Sequence, residues 1–306
     1  MNKIKYIIFA LLLCATTLTP ITTASAATKA KTKKHTTTVY YGAKGDNSRS
    51  IRATYYKGAS SSTNKRWIMI IHGGYWRGGD RTTSSLTPAV EALTDAGYTI
   101  FNVNYPLLNP PSVPWSTTKG GVVDALAWIR AHAGSFNINP NKGAIYGHSA
   151  GGHLALQLGL DNNSASGIKA IVTTGAPADP VRVAQSAIGL RASELAMSAT
   201  AKLYNMQVKA TGCPITDTNP SCVASWDAFS PANLASRGDP AVLLYSGTSD
   251  VRVPYKSSNI VVSKLRAVGV DARANYIKGG GHNAKIAFDG GFHQKKVMDF
   301  LSEKLR

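Results

Sequence analysis

Apolar positions along this chain recur with two spacings, continuous or alternating runs of five to eight residues and longer stretches with helical periodicity, and the two take turns. Trp67-Ile68-Met69-Ile70-Ile71 is an unbroken apolar run between polar residues, the pattern of a strand buried on both faces. Leu86 to Ala96 follows with helical spacing and ends at Gly97, and Tyr98 to Tyr105 is the next strand, stopped by Pro106. The stretch Leu107 to Trp115 carries Pro110, Pro111 and Pro114, suits neither a helix nor a central strand, and belongs over the strand ends. Val122 to Ala133 predicts a helix with Ala125, Ile129 and His132 on or near one apolar stripe. Asn139-Pro140-Asn141 then turns the chain into the short strand Gly143-Ala144-Ile145-Tyr146, and Gly152 to Leu158 is again helical. This alternation predicts an α/β fold: a mostly parallel central sheet flanked by helices, with right-handed crossovers.

Ile168 to Thr174 is a further strand, ended by Gly175-Ala176-Pro177. From about residue 178 to 238 the rhythm lapses, with one helix expected over Ala192 to Tyr204, and this reads as a cap inserted over the carboxyl edge of the sheet. The rhythm resumes with the strand Ala241 to Tyr245, a helix from Tyr255 to Val268, the strand Ala272 to Ile277 and a closing helix from Gln294 to Leu305. Ahead of it all, Thr37 to Tyr41 and Ile51 to Tyr56 read as an antiparallel pair joined by the turn-rich segment Gly42 to Asn47.

Residues 1 to 26 change the picture of where the chain works. Lys3 and Lys5 precede an apolar core from Ile7 to Ala15, and Ala24-Ser25-Ala26 is a small-residue cleavage site, so a secretory leader is expected, with a mature start near Ala27. The apolar core is far shorter than the roughly 20 residues a membrane-spanning helix needs. The remaining length suits one large domain, taken as residues 37 to 306. The net charge is +18, and since the leader carries two lysines and no acid, the mature chain carries +16. Lys29, Lys31, Lys33 and Lys34 make residues 27 to 36 a flexible basic arm. No nucleic-acid module or basic-aromatic groove accompanies this charge, so weak attraction to anionic envelope polymers or lipid head groups is expected instead. Of three cysteines, Cys14 leaves with the leader, and Cys213 and Cys222 then form a disulfide in an oxidising compartment. No histidine stands near them with metal-ligand spacing, and no metal is expected.

The candidate chemistry lies at strand ends. Gly147-His148-Ser149-Ala150-Gly151 joins a strand to a helix, the sequence form of a turn that lifts a serine hydroxyl above a sheet, and Ser149 is the candidate nucleophile. Glycine at 147 and 151 lets strand and helix approach closely, and the free N–H groups of the following helix lie where an oxyanion would form. A serine needs a base within hydrogen-bond reach and an acid to orient that base. In a parallel sheet these groups gather at carboxyl strand ends. Asp250 follows the strand 241–245, and His282 follows the strand 272–277 after Gly279-Gly280-Gly281, which gives the order Ser149, Asp250, His282. The other histidines fit the base less well: His72 and His148 belong to the turns beside the serine, His153 to the next helix, His132 to a surface helix, His35 to the arm and His293 to the last helix. Asp227 and Asp289 are poorer acids by position. His72-Gly73-Gly74-Tyr75-Trp76, directly after a central strand, is where further oxyanion amides would come from, with Tyr75 and Trp76 expected to line the acyl pocket.

From about Thr37 onward the chain resembles an α/β-hydrolase of the esterase/lipase superfamily. The motifs His72 to Trp76 and Gly147-His148-Ser149-Ala150-Gly151-Gly152-His153, with Ser230-Pro231 ahead of the strand 241–245, resemble the bacterial branch of feruloyl-esterase-like carboxylesterases and kynurenine formamidase. That resemblance implies a cofactor-free hydrolase with Ser149, Asp250 and His282 as the triad and Gly73, Gly74 and Ala150 as oxyanion donors. The expectation is an exported serine carboxylesterase acting on a small-molecule ester through an acyl-enzyme. An arylformamidase-like amidase and a non-catalytic binding protein on a hydrolase scaffold stand as alternatives.

Overall fold

A computed structural model describes residues 36–40, 52–58, 64–109, 113–161, 167–188 and 199–306. The leader with its cleavage site, Cys14, the basic arm up to His35, the turn after the first strand and part of the proline-rich stretch lie outside the described residues. Among the described residues there are eight strands: Thr36–Tyr40 (β1), Arg52–Tyr56 (β2), Trp67–Ile71 (β3), Thr99–Val103 (β4), Gly143–His148 (β5), Ile168–Thr174 (β6), Ala241–Gly247 (β7) and Ala272–Ile277 (β8). They form one sheet in the order β1-β2-β4-β3-β5-β6-β7-β8. The first pairings, β1 with β2 and β2 with β4, are antiparallel. All the others are parallel.

Helices cover both faces, which is why every residue of β3, β4 and β5 is buried. On one face lie the helices Trp115–Ala131 (α2) and Ala150–Gly159 (α3), and on the other Thr87–Asp95 (α1); Ser258–Ala267 (α7) and Phe292–Lys304 (α8) extend the two layers. The period-2 alternation decides which side chain meets which layer. Met69, Ile71, Ile145, Val242 and Leu244 pack with α2, α3 and α7. Their neighbours Ile68, Ile70, Tyr146, Leu243 and Tyr245 pack with α1 and α8. The order reverses at β3 and β4, whose partner strands then lie on opposite sides, so the carboxyl ends of β3, β5, β7 and β8 converge on one sheet edge, where an open α/β sheet binds its ligands.

Two departures from the sequence expectations concern proline. The helix expected over Val122 to Ala133 begins seven residues earlier, at Trp115, because Pro114 is its N-cap with extended backbone and blocks nothing. In the segment between β6 and β7, the helix expected over Ala192 to Tyr204 has residues 192–198 outside the described residues and the rest helical, and three helices occur among the described residues: Pro180–Ile188 (α4), Ala199–Thr211 (α5) and Pro220–Phe229 (α6). Pro180 and Pro220 sit at first helical positions, where the missing N–H costs nothing. Side chains cap both starts: Asp179 Oδ1 accepts from Arg182 N at 3.1 Å and Asn219 Oδ1 from Ser221 N at 3.1 Å. The three helices enclose a small core of their own around Ala184, Cys222 and Trp226. Cys213 and Cys222 lie at disulfide-bonding distance with Cα atoms 6.0 Å apart. The Trp226 indole donates to the Cys213 carbonyl at 3.1 Å.

Candidate active site

Ser149 stands between β5 and α3 with φ 55° and ψ −123°, a left-handed conformation that costs a non-glycine residue energy and persists only where its surroundings enforce it. Its N–H donates to Thr174 O at 2.8 Å, pinning the turn to the end of β6. Strand and helix meet here so closely that a Cβ on Gly151 would run into the carbonyls of Ile71 and His72. The loop after β7 supplies Asp250 and the loop after β8 supplies His282; Ser249 N donates to Gly280 O at 2.9 Å, so the two loops are stitched together.

The three side chains meet in series. Ser149 Oγ lies 2.8 Å from His282 Nε2, and His282 Nδ1 lies 2.6 Å from Asp250 Oδ2. With its proton on Nδ1, the ring donates to the carboxylate and its Nε2 accepts from the serine hydroxyl, the tautomer a base requires. Asp250 Oδ1 accepts from Arg252 N at 2.8 Å and Val253 N at 3.0 Å, so both carboxylate oxygens are held. Burial alone would raise this carboxyl, yet the hydrogen bond and charge of His282 with the two amides outweigh it and hold Asp250 below the ordinary carboxylate range. The acid is thereby kept ionised beside the ring it orients.

The structure also shows groups that the sequence did not single out. Gly175, at the end of β6, has φ 56°, and a Cβ there would sit 3.1 Å from His282 Nδ1 and 3.5 Å from Asp250 Oδ2. The imidazole and carboxylate rest on a backbone that has no side chain to offer. Tyr105 stacks on His72 at 4.3 Å between ring centroids and donates its hydroxyl to His72 O at 3.0 Å, while His72 Nδ1 donates to Gly73 O at 2.7 Å. The peptides at 72 and 73 are thus clamped from two sides. A tyrosine at a strand end carries no sequence signal for this role, because its partners lie 33 residues away.

Of the expected oxyanion donors, Gly73 and Ala150 border Ser149, and Gly74 follows Gly73 in the turn after β3. A Cβ on Gly73 would come within 3.0 Å of Ser149 Cβ, so its backbone lies against Ser149. Ala150 occupies the first turn of α3, where N–H groups have no intrahelical acceptor. Among the described residues the N–H groups of Gly73, Gly74 and Tyr75 meet no backbone acceptor either. Gly74 has φ 121°, which glycine adopts freely, and Tyr75 and Trp76 follow with φ 57° and 58°, two successive strained residues. Arg77 N and Gly78 N both donate to Gly74 O at 3.0 Å and close that turn.

One pocket expectation needs correction. Tyr75 is half-buried near Asp250 and Arg252, but Trp76 is fully buried. It packs edge-on against Trp115, His153 and Phe229 with centroids 6.1, 5.2 and 5.5 Å away, so it belongs to the core below the site. The left-handed turn at Tyr75 and Trp76 sends consecutive side chains to different environments. Of the other histidines, burial pushes His72 down to about 4 and His148 and His153 down to about 3, and all three are neutral. His148 Nδ1 donates to Thr174 at 3.0 Å, and His153 Nε2 donates to Phe229 O at 2.9 Å, tying α3 to the end of α6. Asp227 is held by Asn233 Nδ2 at 3.0 Å, and Asp289 accepts from Gly291 N at 2.9 Å at the start of α8. Among the described residues neither hydrogen-bonds to an imidazole, although the charge of His293 helps lower the Asp289 carboxyl. Cys213, Asp217 and Cys222 are the one trio among the described residues that could gather ligand atoms, within 4.8 Å of one another.

Comparison with known proteins bears on the family and the fold. Residues 54–265 match the family model BD-FAE. A polyhydroxybutyrate depolymerase of Talaromyces funiculosus is 26% identical over 180 residues, 58% of this chain and 46% of that protein. The esterase LipC of Mycobacterium tuberculosis is 24% identical over 221 residues, 70% of this chain and 52% of that protein. The chain thus spans about half the length of these curated relatives. The solved structure of a truncated carbohydrate esterase from gut microbiota superposes with a TM-score of 0.69 at 20% identity, covering 88% of this chain and 96% of that one, and so shares the fold. A parallel sheet with its strained serine at the β5 turn, matched by the family model over most of its length, makes this chain a member of the BD-FAE family of α/β-hydrolases.

Proposed function

We propose that this protein is an exported serine carboxylesterase, and the series Ser149 Oγ, His282 Nε2, Nδ1, Asp250 Oδ2 at 2.8 and 2.6 Å is the observation that carries the reading. Ser149 attacks the ester carbonyl as His282 takes its proton. Asp250 holds the ring and stabilises the imidazolium. The N–H groups of Ala150 and the Gly73 to Tyr75 segment receive the oxyanion, and His282 returns the proton to the leaving alcohol. Water activated by the same imidazole then hydrolyses the acyl-enzyme. The esterase and depolymerase names of the relatives support ester hydrolysis.

The leader at residues 1–26 and the paired cysteines support export, with Cys213 and Cys222 joined as a disulfide in the oxidising compartment. The segment 178–238 acts as a cap: Thr200 Oγ1 donates to Val251 O at 2.9 Å beside the acid, and Phe229 O accepts from His153 of α3. The basic arm gives weak attraction to anionic envelope polymers or lipids, which deletion of residues 27–36 removes in a low-salt vesicle-binding assay. The reading is tested by turnover of p-nitrophenyl esters of increasing acyl length against N-formyl aromatic amines. Ser149→Ala lowers ester turnover by about a million-fold, because triad members act as a unit. A loss below about tenfold in folded protein would remove Ser149 as nucleophile.

A further inference from the structure

Arg252 lies two residues past Asp250, and its backbone N–H is fixed on Asp250 Oδ1 at 2.8 Å, which sets where its exposed side chain begins. Asp250 does not neutralise that guanidinium. Its side chain is 1% exposed, and both oxygens are committed, Oδ2 to His282 and Oδ1 to the amides of Arg252 and Val253. Among the described residues no carboxylate forms an ion pair with Arg252. Its charge nevertheless reaches groups from two other elements. Burial raises the Tyr75 phenol and Arg252 draws it back down; burial lowers His148 and Arg252 adds to that. Tyr75 follows β3, the strand beside β5, and His148 ends β5 immediately before Ser149. The hydrogen bond to Asp250 thus anchors the Arg252 backbone at the sheet edge that holds the triad. Next to it Val251 is 73% exposed, so the rim is open at this point.

An unpaired arginine beside a reacting centre is a recognition element for a planar anion, since its fork of donors matches a carboxylate with two parallel hydrogen bonds. We propose that Arg252 sets specificity for esters that carry a carboxylate near the scissile bond, either on the acyl chain or on the alcohol. This inference rests on the esterase reading given above. The carboxylate binds the guanidinium while the ester carbonyl lies over Ser149, and the pairing favours such esters over neutral ones of equal length.

Two substrate pairs test this. For the acyl side, p-nitrophenyl hemisuccinate is compared with p-nitrophenyl butyrate; for the alcohol side, 4-acetoxybenzoate with 4-methylphenyl acetate. Intrinsic differences in leaving group cancel when the anionic-to-neutral ratio of kcat/KM is compared between wild type and Arg252→Gln. The ratio falls about fivefold in one pair, the scale of an exposed ion pair, with the change in KM, and raised salt shrinks the wild-type ratio in the same pair. The pair that responds shows which side of the ester carries the anion. If the wild-type protein cleaves all four esters and both ratios stay within about twofold, the inference alone is overturned. If it cleaves none of them, the esterase reading falls and this inference with it.

Discussion

Replacing Gly175 by alanine separates the support of the triad from the stability of the fold. Gly175 has φ 56°, so a Cβ there meets the left-handed penalty of about 1 kcal/mol. For a domain of this size that lowers Tm by about 3 °C. The same Cβ sits 3.1 Å from His282 Nδ1 and 3.2 Å from Cε1, closer than ordinary van der Waals contact, so the ring must give by a few tenths of an ångström. His282 is held at 2.6 Å by Asp250 and at 2.8 Å by Ser149, and a small shift loosens one hydrogen bond or the other. Misplacement by a full ångström costs about a hundredfold, so a shift of this size costs about tenfold in kcat. Gly269→Ala is the matched control: φ is 86° and nothing lies within 4 Å of the new Cβ. Turnover of p-nitrophenyl butyrate and thermal unfolding are measured on both. The expected result is a similar loss of Tm in each and a loss of kcat in Gly175→Ala alone. Equal kcat in the two variants would refute the claim that the Gly175 backbone supports the imidazole.

Acid should weaken the fold ahead of carboxylate titration. His72, His148 and His153 are neutral in the folded state down to about 4, 3 and 3, whereas unfolded histidine takes a proton near 6.5. Below that pH the unfolded chain binds more protons, so stability falls as pH drops, by up to about 1.4 kcal/mol per pH unit for each ring. Equal denaturant midpoints at pH 7 and pH 5 would contradict the buried neutral rings. Gly74→Ala should lower Tm as well as turnover, since φ is 121° and the new Cβ runs into the Gly78 carbonyl; unchanged Tm would mean the turn is looser than it stands here. His153→Phe leaves Phe229 O without its donor and should cost about 1 to 3 kcal/mol in unfolding experiments, with Ser149 still reactive in the folded protein.

The parts of the fold legible in the sequence are those whose signal is local. Trp67 to Ile71, Ile168 to Thr174 and Ala272 to Ile277 are strands with the bounds their apolar patterns predict, and strand ends in a parallel sheet are where Ser149, Asp250 and His282 then meet. The illegible parts depend on distant partners or on a second meaning of a residue. Proline reads as a breaker, yet Pro180 and Pro220 open helices, so α4 and α6 are hidden in what looks like loop. Trp76 carries the same hydropathy whether it lines a pocket or fills the core, and only the strained turn at Tyr75 decides between them. Gly175 reads as a strand-ending glycine because the ring that rests on it is 107 positions later in the chain. Arg252 is one of 34 basic residues, and what sets it apart is that the acid beside it is already spoken for.

The central claim is that Ser149 is the nucleophile activated by His282 and Asp250. It is tested most directly by inactivating the protein with a fluorophosphonate and locating the adduct by peptide mass spectrometry. The account predicts one adduct per chain, on Ser149, formed in step with loss of ester turnover and absent from Ser149→Ala. Complete loss of turnover with Ser149 unmodified, or an adduct that persists in Ser149→Ala, would contradict it.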